Sequence, residues 1–191
     1  MRKLILVAHI SIDGFVAGLQ GELDGFPSGD ENLEFVCRLT DDADAAIFGR
    51  VSYELLNGFW PKAKDLPHAT KNQVEYSNWY NRAEKIVCSG RLTIENINHT
   101  SIINDNISKE ILSLKQQQGK NILIFGSPSI SQVLIQFNLI DEYWIFINPV
   151  LFGKGIPLFK DSPDNVNLHL IETKQFANGE MAIHYLIQKR I

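Results

Sequence analysis

The sequence predicts a three-layer αβα fold with a mostly parallel central sheet and an antiparallel hairpin at its C-terminal end, and three observations predict it. Four nearly continuous apolar runs have the pattern of strands covered on both faces: residues 3–10, 43–48, 85–88 and 121–125. Segments with apolar residues at helical spacing separate these runs, as in α/β proteins. Near the C-terminus, Asn178-Gly179 lies between two strand-like segments, and Asn-Gly favours a tight hairpin. With 191 residues, of which 45% are apolar, we expect a single domain over residues 1–191.

Local signals place the first helices. A glycine-rich loop follows the first strand and leads into a helix over residues 33–40, with Ser28 and Glu31 at the spacing of a capping box. After the second strand, residues 51–56 predict a short helix. Residues 58–67 contain glycine and proline and predict a loop that ends this helix.

The second half continues the alternation. Residues 70–81 predict a helix, residues 94–97 a weaker strand, and apolar positions 107, 111 and 114 a further helix with Gly119 at its C-terminal cap. After the fourth strand, Ser127 is the expected N-cap of a helix and Pro128 its first residue. The last strands are predicted at residues 141–148, 166–176 and 180–189.

Composition excludes several classes of protein. The net charge is −4 and the basic residues are dispersed, which gives no support for nucleic-acid binding. No apolar run approaches the length that a membrane helix needs, so we expect no membrane partner and a cytoplasmic protein. The two cysteines lie in apolar surroundings and indicate buried thiols rather than a disulfide framework.

The histidines predict no metal site. The five are scattered, and none has metal-ligand spacing to a cysteine, a second histidine or a carboxylate. Three of them, His9, His169 and His184, fall in predicted strands, where we interpret them as hydrogen-bonded structural residues.

Small polar turns follow each of the four buried strands. In a parallel sheet, ligands bind outside the carboxyl ends of the strands, where loops lead into helices. Free backbone N–H groups and two arginines at these turns would suit an extended anion such as a dinucleotide. For any single turn the alternative is ordinary turn chemistry, since α/β turns commonly use glycine and serine. The four turns are Asp13-Gly14, Gly49-Arg50-Val51-Ser52, Ser89-Gly90-Arg91 and Gly126-Ser127-Pro128-Ser129.

Competing motifs are absent from the sequence. There is no GxGxxG and no GxxxxGK[ST]. A hydrolase built on Ser127 or Ser129 is the weakest alternative, because neither serine lies in a GxSxG motif.

The order of these segments resembles the dihydrofolate reductase-like family, in particular the branch with the C-terminal reductase domain of the bifunctional riboflavin-biosynthesis deaminase-reductase. The matching segments cover nearly the whole chain: SIDGFVA (11–17), IFGRVSYE (47–54), IVCS (86–89), IFG (124–126), and DE (141–142) through PVLFGKGIPLF (149–159).

This resemblance implies a fold that uses NADPH. In the family, the turn like Gly49 to Ser52, with Arg50, begins a helix beside the cofactor phosphates. The turn like Ser89-Gly90-Arg91 lies near the adenosine 2′-phosphate. The turn of Gly126, Ser127 and Ser129 lies along the pyrophosphate and nicotinamide. The residues like Asp13 and Gly14 border the nicotinamide and the substrate. Our hypothesis for this chain places the nicotinamide near Asp13 and Ala8.

Two departures from the family pattern matter. Family members usually have Gly-Gly where this chain has Gly126-Ser127, so the Ser127 side chain would either crowd the cofactor or add a donor. Dihydrofolate reductases have an acid on the first helix, where this chain has Leu33 flanked by Glu31 and Glu34. Asp13 or Glu34 is the predicted source of a proton; the alternative for Asp13 is a turn residue that bonds the local backbone.

The leading hypothesis is an NADPH-dependent oxidoreductase that transfers a hydride to a small substrate with a C=N, C=O or C=C bond. The alternative is a nucleotide-binding or sensor module on the same fold without efficient turnover. The C-terminal hairpin is apolar on both faces, which suggests a homodimer; burial of both faces within one subunit is the alternative.

Overall fold

The chain folds around one eight-stranded sheet in a computed structural model that describes residues 1–27, 29–92, 99–160 and 165–188. The strand order is β5-β4-β3-β6-β1-β7-β10-β9, and β2 and β8 form a separate pair. The strands are β1 (Leu4–Ser11), β2 (Phe15–Ala17), β3 (Ala43–Gly49), β4 (Glu84–Cys88), β5 (Thr100–Ile103), β6 (Asn121–Phe125), β7 (Glu142–Asn148), β8 (Ile156–Pro157), β9 (Leu168–Gln175) and β10 (Met181–Ile187).

Neighbouring strands from β5 to β7 are parallel, and β10 runs antiparallel to both β7 and β9. The predicted α/β class with a mostly parallel sheet and an antiparallel C-terminal hairpin is therefore confirmed. Gly179 has φ +87° in the hairpin turn, as the Asn-Gly signal predicts.

Helices cover both faces of the sheet, because alternate residues of its buried strands point to opposite sides. Among the described residues, the helices are α1 (Asp30–Asp41), α2 (Arg50–Ala63), α3 (Lys71–Arg82), α4 (Ile107–Gln116) and α5 (Pro128–Gln136). Leu4, Leu6 and Ala8 of β1 belong to the core that includes α4 and α5. Ile5 and Val7 belong to the aromatic-rich core that includes α1, α2 and α3. The predicted three-layer arrangement follows from these two cores.

Helix α2 is longer than the sequence predicts. It continues through Gly58 and Pro61 to Ala63, where a loop is expected. Hydrogen bonds from α3 hold its last turns: Ser77 Oγ donates to the carbonyl of Trp60 at 2.6 Å and Asn81 Nδ2 to that of Pro61 at 3.1 Å. Tertiary contacts thus outweigh the local preference of proline to end a helix.

The start of α1 also differs from the prediction. Its N-cap is Gly29 rather than the expected Ser28. Glu31 instead accepts a hydrogen bond from the backbone N–H of Ala177 in the distant hairpin turn, at 3.1 Å. Ser28 lies outside the described residues.

Three further predictions concern the strand before α4, the end of α4 and the last strand. The weak strand expected at residues 94–97 falls outside the described residues, and β5 lies further along the chain. Helix α4 has Gln117 as its C-cap, so Gly119 does not cap it. Gly119 instead lies against the ion pair of Arg2 and Asp44, where a Cβ would come within 2.9 Å of the Asp44 carboxylate. Residue 189, the expected end of the last strand, is also outside the described part.

Candidate functional site

The N-termini of α2 and α5 meet at the carboxyl edge of the sheet. Gly49 ends β3 and is the N-cap of α2, while Ser127 follows β6 and is the N-cap of α5. The Oγ of Ser127 accepts a hydrogen bond from the backbone N–H of Gly49 at 2.7 Å. This bond joins the second and fourth of the predicted turns. A Cβ on Gly49 would lie 2.9 Å from Ser127 Oγ and 3.3 Å from Ser129 Oγ, so only glycine fits there without movement.

The Ser127 side chain therefore does not have the role that an N-cap serine usually has. Its backbone is left-handed, with φ +48°, and its hydroxyl makes no capping bond within α5. Gly126 is also left-handed, with φ +56°. Two consecutive left-handed residues turn the chain from β6 into α5. Because such a conformation costs a non-glycine residue about 1–2 kcal/mol, the bond to Gly49 compensates for strain at Ser127.

A space lies beside Gly126, at the end of the sheet. A Cβ built on Gly126 meets no atom within 4 Å, and its N–H donates to the carbonyl of Val7 at 2.8 Å. The β1–β6 ladder ends at Val7, whereas β1 continues beside β7 as far as Ser11. Residues 8–11 of β1 thus extend beyond β6 and border the opening. Ala8, a predicted nicotinamide contact, lies on this stretch and is buried.

The first helical turn of α2 offers donors toward the same edge. The first N–H groups of a helix have no intrahelical acceptor, and they point toward its positive end. Ser52 lies in this turn and is half-buried, while Arg50 and Ser129 are exposed. The Arg50 guanidinium pairs with Glu54 one turn further along, at 2.8 Å.

The third predicted turn has the form of a serine-stabilised turn. Ser89 Oγ accepts hydrogen bonds from the N–H groups of Arg91 at 3.2 Å and of Leu92 at 3.0 Å. Gly90 and Arg91 are exposed. Since β4 lies directly beside β3, this turn lies at the same edge of the sheet as Gly49.

Asp13 has the contacts of a turn residue. Its carboxylate accepts hydrogen bonds from Ser11 Oγ at 2.6 Å and from the N–H groups of Phe152 and Gly153 at 3.2 and 2.7 Å. The bond from Ser11 is the largest cause that holds the pKa of Asp13 below its usual value. Asp13 therefore joins the loop after β7 to the end of β1, beside the positive-φ residue Gly14. A carboxylate kept ionised in this way is poorly suited to give up a proton.

Glu34 lies on the outer face of α1. Its side chain is 57% exposed, and its carboxylate is 3.9 Å from Arg38, one turn toward the C-terminal end of the helix. Leu33 instead packs against the aromatic-rich core. Neither the Glu34 side chain nor the Leu33 side chain therefore contributes a hydrogen bond to the turns at the sheet edge.

A second polar cluster lies near the end of β1 and was not predicted from the sequence. Nδ1 of His9 is 2.7 Å from Oε1 of Glu180, and Asn32 Nδ2 donates to the other oxygen of that carboxylate. The His9 ring stacks on Phe146 with centroids 4.6 Å apart. Glu180 is only 1% exposed. The His9 and Glu180 positions are 171 residues apart, so no local spacing reveals the contact.

Comparison with known proteins establishes the family. The model of the RibD C-terminal domain matches residues 2–181. The chain belongs to the RibD C-terminal domain family. A relative from the same comparisons, the uncharacterized protein YyaP of Bacillus subtilis (strain 168), is 34% identical over 184 residues, which are 96% of this chain and 94% of that protein.

Solved structures with the fold of this RibD C-terminal domain include reductases. A Shewanella sp. PV-4 protein named for riboflavin biosynthesis has a TM-score of 0.74 at 20% identity, covering 99% of this chain and all of that one. The Thermotoga maritima diaminohydroxyphosphoribosylaminopyrimidine deaminase/5-amino-6-(5-phosphoribosylamino)uracil reductase has a TM-score of 0.67 at 15% identity, covering 98% of this chain and 57% of that one. Enterococcus faecalis dihydrofolate reductase, complexed with NADP(H) and RAB-propyl, has a TM-score of 0.67 at 14% identity, covering 98% of this chain and 97% of that one.

These likenesses confirm the resemblance that the sequence motifs carry, and the RibD C-terminal domain described here has a reductase-family fold. At such low identities the solved structures support the fold alone. Within the described ranges, no helix of this domain is both long and apolar enough to cross a bilayer.

Proposed function

We propose that this protein is an NADPH-dependent oxidoreductase that transfers a hydride to a small compound with a C=N, C=O or C=C bond. The observation that carries the proposal is the meeting of the α2 and α5 N-termini at Gly49 and Ser127, beside the open space at Gly126. The N-termini of these two helices, which are 14 and 9 residues long, favour the binding of an anion at this point.

The residues present fit a dinucleotide in three respects. The glycine backbone at position 126 allows close approach, since a Cβ built there meets no atom within 4 Å. The N–H groups of the first α2 turn and the hydroxyl hydrogen of Ser127 supply donors for phosphate oxygens. Residues 8–11 of β1 extend past β6, which leaves room for a flat ring against the end of the strand. When bound, NADPH would supply the hydride.

The cofactor test is a fluorescence titration with NADPH and with NADH, followed by NADPH oxidation at 340 nm. The substrate panel consists of a cyclic imine, a quinone, dihydrofolate and 5-amino-6-(5-phosphoribosylamino)uracil. Binding of neither cofactor would refute the proposal. Binding without turnover of any panel member would favour a nucleotide-binding or sensor module on the same fold.

A variant pair tests the phosphate contact. Arg50→Ala should weaken NADPH binding by about 10- to 150-fold, because a hydrogen bond to a charged group contributes about 1.5–3 kcal/mol. The control is Arg38→Ala, which removes a looser i,i+4 pair with Glu34 on α1, 3.9 Å apart and away from the turns. Equal affinity in both variants would remove Arg50 from the site. The same titration of Arg91→Ala tests the third turn.

We also propose that two copies associate through the hairpin edge. Support comes from β9, an edge strand whose Leu168, Leu170 and Ile171 are 40–50% exposed. Sedimentation velocity should give a dimer for the wild type and a monomer for Ile171→Lys. A monomeric wild type would refute this part.

A further inference from the structure

The His9–Glu180–Asn32 cluster lies on the stretch of β1 that extends past β6 and borders the proposed nicotinamide position. His9 is in the part of β1 that extends past β6, two residues after the last ladder position, Val7. Its neighbour Ala8 faces the α4–α5 core, so the His9 side chain is on the opposite side of the sheet, toward α1. The imidazole side chain is 36% exposed, although its carboxylate partner is buried.

The cluster fixes one nitrogen of the ring and leaves the other accessible. Nδ1 faces the buried Glu180, so an Nδ1–H donated to this carboxylate sets the tautomer. Asn32 of α1 occupies the second carboxylate oxygen, which prevents Glu180 from turning away. Phe146 supports one face of the ring. Among the described residues, none is hydrogen-bonded to Nε2 of His9.

Other charged side chains near the cluster are already paired with each other. Lys174 of β9 pairs with Glu31 of α1 at 3.5 Å, and its ammonium lies over the rings of Phe35 and Phe176. Glu180 is therefore the carboxylate that acts directly on His9.

We propose that His9 is the catalytic acid of this protein, with Glu180 and Asn32 as positioning residues, an inference that rests on the proposed reductase function. As the substrate carbon accepts a hydride from the reduced nicotinamide, the protonated His9 gives its Nε2 proton to the nitrogen or oxygen of the same double bond. The C=N or C=O π bond breaks, a C–H and an N–H or O–H bond form, and the cofactor is left oxidised. The neutral His9 that remains keeps its Nδ1–H hydrogen-bonded to Glu180 and regains the Nε2 proton from water.

This assignment supplies the proton source that the other candidates lack. Asp13 is occupied by three hydrogen bonds that favour its ionised form, and Glu34 lies on the exposed face of α1. An imidazole held by a buried carboxylate is a common general acid–base pair.

The chain contains a matched control for this cluster. Nε2 of His184 is 2.9 Å from Glu142, and its ring stacks on Trp144 with centroids 4.3 Å apart. Glu142 begins β7, so this pair lies toward the amino edge of the sheet, away from the turns. Like His9, His184 thus has a carboxylate partner and a stacked aromatic ring of its own, but it lies at the other edge of the sheet.

The primary test does not depend on a known substrate. Diethyl pyrocarbonate modification of each histidine is followed by peptide mass spectrometry, with and without NADP⁺ at ten times its measured dissociation constant. If bound cofactor closes access to Nε2, His9 should react about tenfold more slowly, in proportion to the free protein that remains. The exposed His68, which follows the C-terminal end of α2 away from the turns, should react at the same rate in both conditions. Unchanged His9 reactivity with bound NADP⁺ would overturn the inference while the proposed function stands.

The second test uses whichever panel compound is reduced. His9→Ala should lower kcat on the order of 100-fold with NADPH affinity unchanged, and added imidazole should restore part of the rate. Glu180→Gln should lower kcat less, since it retains the side-chain volume and loses only the charge that orients the ring. His184→Ala should leave kcat unchanged. Full activity of His9→Ala would refute the assignment. A failure of NADPH or NADP⁺ to bind in the fluorescence titration would instead refute the proposed function, and the catalytic role of His9 with it.

Discussion

Replacement of Ser127 should separate the strain of its backbone from the hydrogen bond of its side chain. In Ser127→Ala, the buried N–H of Gly49 loses its acceptor, and a buried unsatisfied donor costs about 1–3 kcal/mol. Alanine also keeps the left-handed backbone, so nothing offsets this cost. We therefore expect the free energy of unfolding to fall by about 1–3 kcal/mol.

Ser127→Gly should behave differently although it loses the same hydrogen bond. Glycine adopts φ +48° without the penalty of about 1–2 kcal/mol that a side chain incurs there. This gain opposes the loss of the acceptor. The glycine variant should thus be more stable than the alanine variant by about 1–2 kcal/mol.

The measurement is urea unfolding followed by circular dichroism, with the free energy obtained by linear extrapolation. Ser129→Ala is the control, because Ser129 is the exposed neighbour on the same turn and should change stability by no more than about 0.5 kcal/mol. An alanine variant as stable as the wild type would mean that the Ser127–Gly49 bond is unimportant. An alanine variant more stable than the glycine variant would contradict the strain argument itself.

Three further predictions concern other parts of the fold. Gly58→Ala should raise the unfolding free energy by about 0.5–1 kcal/mol in the same urea assay, because a Cβ in this helix interior meets no atom within 4 Å; a loss of stability would contradict the helical assignment. Asp13→Asn should be destabilising near neutral pH, because the hydrogen bonds that lower the pKa of Asp13 in the folded state stabilise its ionised form. The difference in thermal midpoint from the wild type should shrink as pH falls below the usual aspartate pKa, where Asp13 becomes protonated. A constant difference from pH 7 to pH 3 would refute this. Burial raises the pKa of the Cys37 and Cys88 thiols to about 12, so both should resist 5,5′-dithiobis(2-nitrobenzoate) at pH 8 until denaturant is added, and rapid reaction of the native protein would contradict their burial.

The sequence predicts the central sheet well because its signal is local. Continuous apolar runs at residues 43–48 and 121–125 became β3 and β6 within a residue at each end. Elements that depend on distant partners were missed. The two-residue strand β8 exists only beside β2, and the last turns of α2 depend on Ser77 and Asn81 of α3.

The site divides in the same way. The positions of the turns follow from where the buried strands end, so Gly49 and Ser127 could be placed at one edge from sequence. The bond between them joins residues 78 apart, and the backbone donors to the Asp13 carboxylate come from residues 139 and 140 positions away. The spacing of apolar residues along the sequence does not predict contacts between residues so far apart. The contact between His9 and Glu180 was missed for the same reason. A histidine in a strand has no local sequence feature that distinguishes a structural role from a contact with a buried glutamate.

The Ser127 contact also changes what a phosphate would meet at this edge. A glycine at position 127 would leave the Gly49 N–H free for an anion, whereas the serine occupies that N–H and presents its own hydroxyl hydrogen instead. One donor therefore replaces another, and a hydroxyl can rotate toward an oxygen that a fixed N–H does not reach. If this exchange is neutral, Ser127→Gly should bind NADPH as well as the wild type does, because the freed N–H takes over. Ser127→Ala also removes the acceptor but leaves a methyl group that keeps the N–H buried, so weaker binding by the alanine variant alone would identify burial of this N–H by the side chain, rather than loss of the hydroxyl, as the constraint on this position.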